Sequence, residues 1–216
     1  MELKYKNWKD VSIKKYYELE GVSTDELLDD DYKEIKILSL LCDTTEDEIS
    51  RLPYPEFLQL KKDLVWLSRF SFDTEHDLKK VQVGDKSYRV CKDFSKFTTA
   101  QYIDFQTFYN KNDLKQYYGN VLSTFVIPEE YKEYNNGYDV VEEAKYLYDH
   151  LDICTANQLM FFFRLRWHNL TIVTLNYLKY LAKRNLKKKK LTEEERMIWT
   201  KIQEEIQDTP GWSALI

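Results

Sequence analysis

The stretch from Cys42 to Leu58, CDTTEDEISRLPYPEFL, decides the fold of this chain. Thr45 and Glu48 stand in the Thr-x-x-Glu pattern of a capping box, in which each side chain accepts a backbone N–H at the start of a helix. The pattern predicts a short helix over 46–51. That helix must end before Pro53, because a proline ring disfavours helical geometry in the preceding residue.

A second helix is predicted to begin at once, because Pro55 stands where proline is favoured in a first helical turn. It is predicted over 55–68 from its apolar spacing. Two helices joined by one short corner form a helical hairpin, and the chain around them is expected to be helical as well.

Apolar residues recur at three- and four-residue intervals through most of the chain, as in amphipathic helices. The helix from 27 to 41 has Leu27, Leu28 and Leu41 on its apolar side, and a first helix is predicted to end at Gly21. Further helix starts are predicted at residues able to cap the backbone, namely Asp10 or Ser12, Thr98 or Thr99, Asp113, Asp139, Thr155 with Gln158, and Thr192 with Glu195.

One segment departs from the helical pattern. Residues 79–92 alternate between apolar and polar around Gly84 and Asp85, which predicts a β-hairpin. We expect this hairpin to be the only sheet, so the predicted fold class is mainly α, with helical modules and one small β-hairpin near 79–92. The predicted domains are an N-terminal helical module, a hairpin linker region and a C-terminal module with a long apolar helix, at 1–72, 73–98 and 99–216.

Composition and charge agree with a helical interior. The 216 residues include 17 Tyr, 11 Phe and 5 Trp but only 5 Gly and 4 Pro. Residues 1–60 carry a net charge of −7 and the remainder +2, so the chain lacks the global basicity typical of proteins that bind phosphate backbones. The apolar segment 153–181 is interrupted by Arg164 and Arg166, and its uncharged runs are too short to cross a bilayer.

Sequence signals for catalysis or cofactor binding are weak. His76, His150 and His168 lack metal-ligand spacing, and the few glycines form no phosphate-binding loop. The three cysteines, Cys42, Cys91 and Cys154, form no CxxC pair, which favours free thiols in a reducing compartment. We therefore expect a non-enzymatic protein without a metal or cofactor, in the cytoplasm.

Two clusters near the C-terminus are candidate binding surfaces. The aromatic run at 160–163, followed by Trp167, indicates either a helix buried all round or an apolar patch for a partner. The segment KRNLKKKK favours a helix end, or contact with nucleic acid or an acidic partner. Its basic residues are Lys183, Arg184, Lys187, Lys188, Lys189 and Lys190.

Residues 8–68 have the order WKDVSIKKYYEL, a helix ending in IKILSLLCD, and then TTEDEISRLPYPEFLQL. In this order they resemble tail assembly chaperones and the related baseplate assembly proteins of tailed phages. The family has a leucine-rich helix, a small loop, S/T-x-E-E-I and a D/E-F-x-x-L helix. Matching positions here are Thr44, Glu46, Glu48, Ile49, Leu52, Glu56, Phe57 and Leu60. Family members often have a glycine in the loop before the cap, where this chain has Cys42-Asp43.

The resemblance implies a phage morphogenesis factor that binds apolar helices of the tape-measure protein or another tail component in the host cytoplasm, with self-association as a further option. The predicted partner-binding residues are Leu41, Ile49, Leu52, Phe57, Leu60, Phe161, Phe162 and Trp167. One alternative is a structural or packaged protein of the virion. The other is a nucleic-acid-binding module that uses the basic segment 183–190.

Overall fold

The structure is a computed structural model that describes residues 1–111, 113–131, 134, 137–186 and 192–208, without the side chains at 114, 175–176 and 202–208. The chain divides into two compact units, Met1–Phe163 and Arg164–Ile216. The boundaries predicted at 72 and 98 both fall inside the first unit.

The described residues are mainly α-helical, as predicted, with nine α-helices and one small antiparallel sheet. The first unit begins with four short helices, which are followed by the sheet and three further helices. The elements are α1 Ile13–Thr24, α2 Asp30–Cys42, α3 Glu46–Ser50, α4 Tyr54–Lys62, β1 Lys80–Val83, β2 Lys86–Val90, α5 Thr99–Tyr109, α6 Leu114–Ser123, β3 Val126–Pro128, α7 Val140–His150, α8 Ile153–Leu186 and α9 Glu193–Asp208.

Side-chain caps set most of the helix starts. The predicted capping box of Thr45 and Glu48 is present at α3, and Thr192 and Glu195 exchange the same hydrogen bonds at α9. Where two caps were predicted, the structure uses Ser12 and Thr98. Asp113 and Asp139 cap α6 and α7 as predicted.

Several predicted helix boundaries were wrong, each for a local reason. Helix α1 continues through Gly21 to Thr24, and α2 begins only after Asp29 accepts the N–H of Tyr32, which leaves Leu27 outside any helix. The helix predicted over 55–68 ends at Lys62 and tightens into the 3-10 helix Asp63–Ser68.

The start of α8 was also predicted wrongly. The N–H of Thr155 bonds to Asp152, so the cap lies three residues before the predicted one. Gln158 is buried, and its side chain donates instead to the carbonyl of His76.

The sheet has a third strand that the sequence prediction missed. The predicted hairpin is present, with Gly84 at positive φ in its turn, but β3 pairs antiparallel with β2 through Val90 and Val126. All three residues of β3 are buried. A short apolar run gives the same signal in a buried strand as at a helix end, so the sequence pattern does not identify this segment as a strand.

The aromatic core of the first unit is centred on Phe163. Its ring stacks on Phe125 with centroids 3.9 Å apart and contacts Phe94 and Phe105 at 4.9 and 5.1 Å. Phe163, Phe125 and Phe105 are almost fully buried. Among the described residues, no helix is long and apolar enough to cross a membrane.

Candidate functional site

The residues predicted to bind a partner in the N-terminal hairpin divide into core and half-buried positions. Leu41, Ile49 and Leu60 are 0, 1 and 5% exposed. They lie on α2, α3 and α4, so they close the interior of these helices and present no surface to a partner. Leu52 and Phe57 are half-buried.

Glu48 fixes the corner that holds these helices. Its carboxylate accepts hydrogen bonds from the Thr44 hydroxyl and from the backbone N–H of Thr45. These hydrogen bonds hold the pKa of Glu48 below its usual range, because they favour the charged form. The acidic, proline-punctuated stretch therefore positions Ile49 in the core.

A continuous set of aromatic rings covers one face of the first unit. We call it the aromatic surface. Trp8 meets Tyr16, Trp66 and Phe70 edge-on, with centroids 5.7, 5.1 and 5.2 Å apart. The series continues through Phe70 to Phe72, Phe161 and Phe162 at 6.3, 6.1 and 5.3 Å. Elements distant in sequence thereby contribute to one apolar face.

The aromatic surface is accessible to solvent at two of its rings. Phe70 and Phe161 are 36 and 38% exposed, while the other members are half-buried. The indole N–H groups of Trp8 and Trp66 are buried and have no acceptor among the described residues. Tryptophan and tyrosine are enriched among the residues that dominate protein–protein binding energy. This face therefore has the composition of a protein-binding site.

The aromatic residues predicted on α8 separate into three environments. Phe161 and Phe162 belong to the aromatic surface, whereas the adjacent Phe163 is core. Trp167 is half-buried and lies in the second unit. Helical periodicity explains this division, because neighbouring residues of a helix point about 100° apart.

The sequence analysis missed several members of the aromatic surface, among them Trp8, Trp66, Phe70 and Phe72. Phe70 lies two residues beyond the 3-10 helix Asp63–Ser68, so the four-residue spacing of Trp66 and Phe70 gave no helical signal. The contact of Phe72 with Phe161 depends on the tertiary fold, which no local sequence pattern predicts.

No family model, curated protein or solved structure matches the chain. The assignment of a site therefore depends on geometry. Across the described residues, no three His, Cys, Asp or Glu side chains are grouped so as to hold a metal ion. Burial raises the pKa of the Cys154 thiol to about 11, which suppresses its nucleophilic form at neutral pH.

A buried carboxylate joins the sheet to α7. Glu143 is 5% exposed and accepts hydrogen bonds from the Tyr88 hydroxyl at 2.8 Å and the Lys86 ammonium at 2.7 Å. Burial, followed by this hydrogen bond, raises the pKa of Tyr88 far above its usual range. Lys86 also lies over the ring of Tyr146 at 4.4 Å. The carboxylate is paired within the fold, so we assign it a structural role.

The predicted basic patch is only partly described. Lys183 and Arg184 are exposed in the last turn of α8, where positive charge is favourable beside the helix carbonyls. Lys187, Lys188, Lys189 and Lys190 lie outside the described residues. The two described residues are thus explained by the helix end, and their position does not favour nucleic acid over a protein partner.

Proposed function

We propose that this chain is a non-enzymatic morphogenesis factor of a tailed phage, a tail assembly chaperone that binds apolar helices of the tape-measure protein or another tail component. The observation that carries the proposal is the aromatic surface. The resemblance of residues 8–68 to tail assembly chaperones indicates the biological setting. The similar stretch contains Trp8, Tyr16 and Trp66 of the aromatic surface, whereas its matched residues Ile49 and Leu60 are core.

The chemistry of the aromatic surface suits an apolar helix. Rings that are half-buried before binding lose little conformational freedom when a partner covers them, because their neighbours already hold them. The exposed edges of Phe70 and Phe161 supply the apolar area, and the two buried indole N–H groups lie beside it. An amphipathic helix laid on this face would bury its own apolar side.

The direct experiment is co-expression of the tagged protein with the neighbouring tail genes, followed by mass spectrometry of what co-purifies. We expect a long helical tail protein to be recovered. The variant Phe70→Ser/Phe161→Ser should lose it, because both substitutions remove exposed aromatic area while leaving the core intact.

The matched control is Tyr102→Ser/Ile103→Ser. These two side chains are 44 and 56% exposed on α5, which contributes no ring to the aromatic surface, and they should be dispensable for binding. Circular dichroism must show that both double variants fold. Leu60→Asp cannot serve here, because a charge at that buried position would unfold the hairpin.

Purified virions provide the second readout. A chaperone is expected to be absent from mature particles, whereas a structural protein of the virion would be present in them. Equal recovery of the tail protein by both double variants, or recovery of capsid components alone, would contradict the proposal.

A further inference from the structure

The second unit has an apolar stripe of its own, on the part of α8 after Phe163. The α8 stripe consists of Leu170, Val173, Tyr177 and Tyr180, and each side chain is more than 40% exposed. Their spacing of three, four and three residues is the spacing of a helix–helix seam, in which successive residues stay on one side of the helix. This stripe can therefore pack along a second helix.

Helix α9 carries a smaller apolar patch. Met197 and Ile198 are 65 and 54% exposed, within the first two turns of the helix. Among the described side chains of the second unit, the α8 stripe and the apolar patch on α9 are thus both exposed to solvent.

The end of α8 and the start of α9, beside the two apolar faces, carry opposite charges. From Ile153 to Thr192 the chain contains no Asp or Glu, and Lys183 and Arg184 stand exposed one turn after Tyr180. Helix α9 begins with Glu193 and Glu194, also exposed. Pairing α8 with α9 therefore brings cations beside anions.

The two helices also match in register. Four residues separate Tyr180 from Arg184, and four separate Glu193 from Met197, which is about 6 Å of helix in each case. In an antiparallel pair, the acidic start of α9 therefore lies beside the basic end of α8 while Met197 lies beside Tyr180.

We propose that two copies of this chain associate through α8 of one copy and α9 of the other, in a reciprocal antiparallel contact. A two-fold axis repeats the contact, so each copy supplies one basic and one acidic apolar helix. Pairing α8 with α8 along the stripe is disfavoured, because a parallel pair sets Lys183 and Arg184 beside their own counterparts and an antiparallel pair sets Arg184 beside Arg166. This association lies outside the aromatic surface and goes beyond the proposed chaperone function.

The test uses two charge-reversed forms of the full chain in sedimentation velocity. Variant A is Lys183→Glu/Arg184→Glu, and variant B is Glu193→Lys/Glu194→Lys, which leaves Glu195 free to cap α9. The wild-type protein should dimerise, and the dimer should weaken several-fold from about 0.05 to about 0.5 M NaCl, where screening is stronger. Each variant alone should be monomeric, because its α8 and α9 carry like charge.

An equimolar mixture of A and B should restore the dimer, since both of its α8–α9 contacts again join opposite charges. A separate substitution, Val173→Glu, should abolish association without changing the charges at the helix ends. Circular dichroism confirms that each variant keeps its helices.

Three results would overturn the inference. The first is a monomeric wild-type chain at every concentration, which would leave both faces for other proteins or for closure within one chain. The second is a dimer formed by variant B alone, which would indicate α8–α8 pairing. The third is the failure of A and B to associate when mixed.

Discussion

The hairpin of the first unit and helix α9 of the second begin in the same way and end in different environments. Both start with a Thr-x-x-Glu capping box. Four residues after the Thr45 cap, Ile49 is 1% exposed, whereas Met197, five residues after Thr192, is 65% exposed. A cap fixes where a helix starts, and only tertiary contacts decide whether its apolar face is covered.

The difference between the units should be largest for core substitutions. Phe163→Ala removes a ring that packs on several other aromatic rings, so we expect the free energy of unfolding to fall by about 3–5 kcal/mol. The matched change in the second unit, Val173→Ala, alters a side chain that is exposed in the monomer, and it should cost less than about 0.5 kcal/mol when unfolding is measured at a concentration where the chain is monomeric.

Urea unfolding of both variants, followed by circular dichroism, gives the comparison. Equal losses of stability would show that the α8 stripe is as well covered as the aromatic core.

The second prediction concerns the buried carboxylate. Tyr88→Phe removes a hydrogen bond to Glu143 in a buried site, and we expect a loss of about 1–3 kcal/mol. The control is Tyr146→Phe. The Tyr146 hydroxyl donates to Asp85 near the surface, where water can replace that hydroxyl as the donor at little cost in stability. Thermal unfolding measures the loss of stability in each variant. A larger loss for Tyr146→Phe than for Tyr88→Phe would contradict the structural role of Glu143.

The third prediction contrasts the two capping boxes. Thr45→Ala should lower the free energy of unfolding of the first unit by about 1 kcal/mol, because the cap positions a buried residue. Thr192→Ala removes the same hydrogen bonds from α9 but should leave the midpoint of urea unfolding of the first unit unchanged. Urea titration monitored by near-ultraviolet circular dichroism, which follows the packed rings of the core, distinguishes the two variants.

The smallest expected effect is the pH dependence of Glu48. Its pKa is lowered in the folded protein, so its contribution to stability is present above the ordinary glutamate pKa of about 4.3 and is lost as the pH falls through the lower folded value. Glu48→Gln should therefore unfold more easily than wild type at pH 6, and the difference should shrink toward acid. A difference that stays constant with pH would contradict the hydrogen-bonding cause.

Short sequence patterns correctly predicted those elements whose start or turn is determined by a few neighbouring residues. Thr45 with Glu48, Asp113 and Asp139 each predicted a helix start correctly, and the alternation around Gly84 predicted the hairpin. Asp152 was missed because the later pair at 155 and 158 offers the same pattern.

Short sequence patterns could not predict the aromatic surface. Phe161 was predicted as a candidate, but its ring contact outside α8 is with Phe72, 89 positions earlier in the chain. The sequence pattern also did not distinguish Phe161 from Phe163, since both stand in one apolar run. Only the packing of α8 in the first unit makes one residue surface and the other core.

The most direct test of the proposed function is hydrogen–deuterium exchange of the purified protein, alone and in complex with the co-purified tail component. We predict slower exchange on binding in peptides that cover residues 5–10 and 66–77, which carry Trp8, Trp66 and Phe70, and unchanged exchange over α5. Unchanged exchange at 5–10 and 66–77, with protection confined to other segments, would contradict the aromatic surface as the binding face.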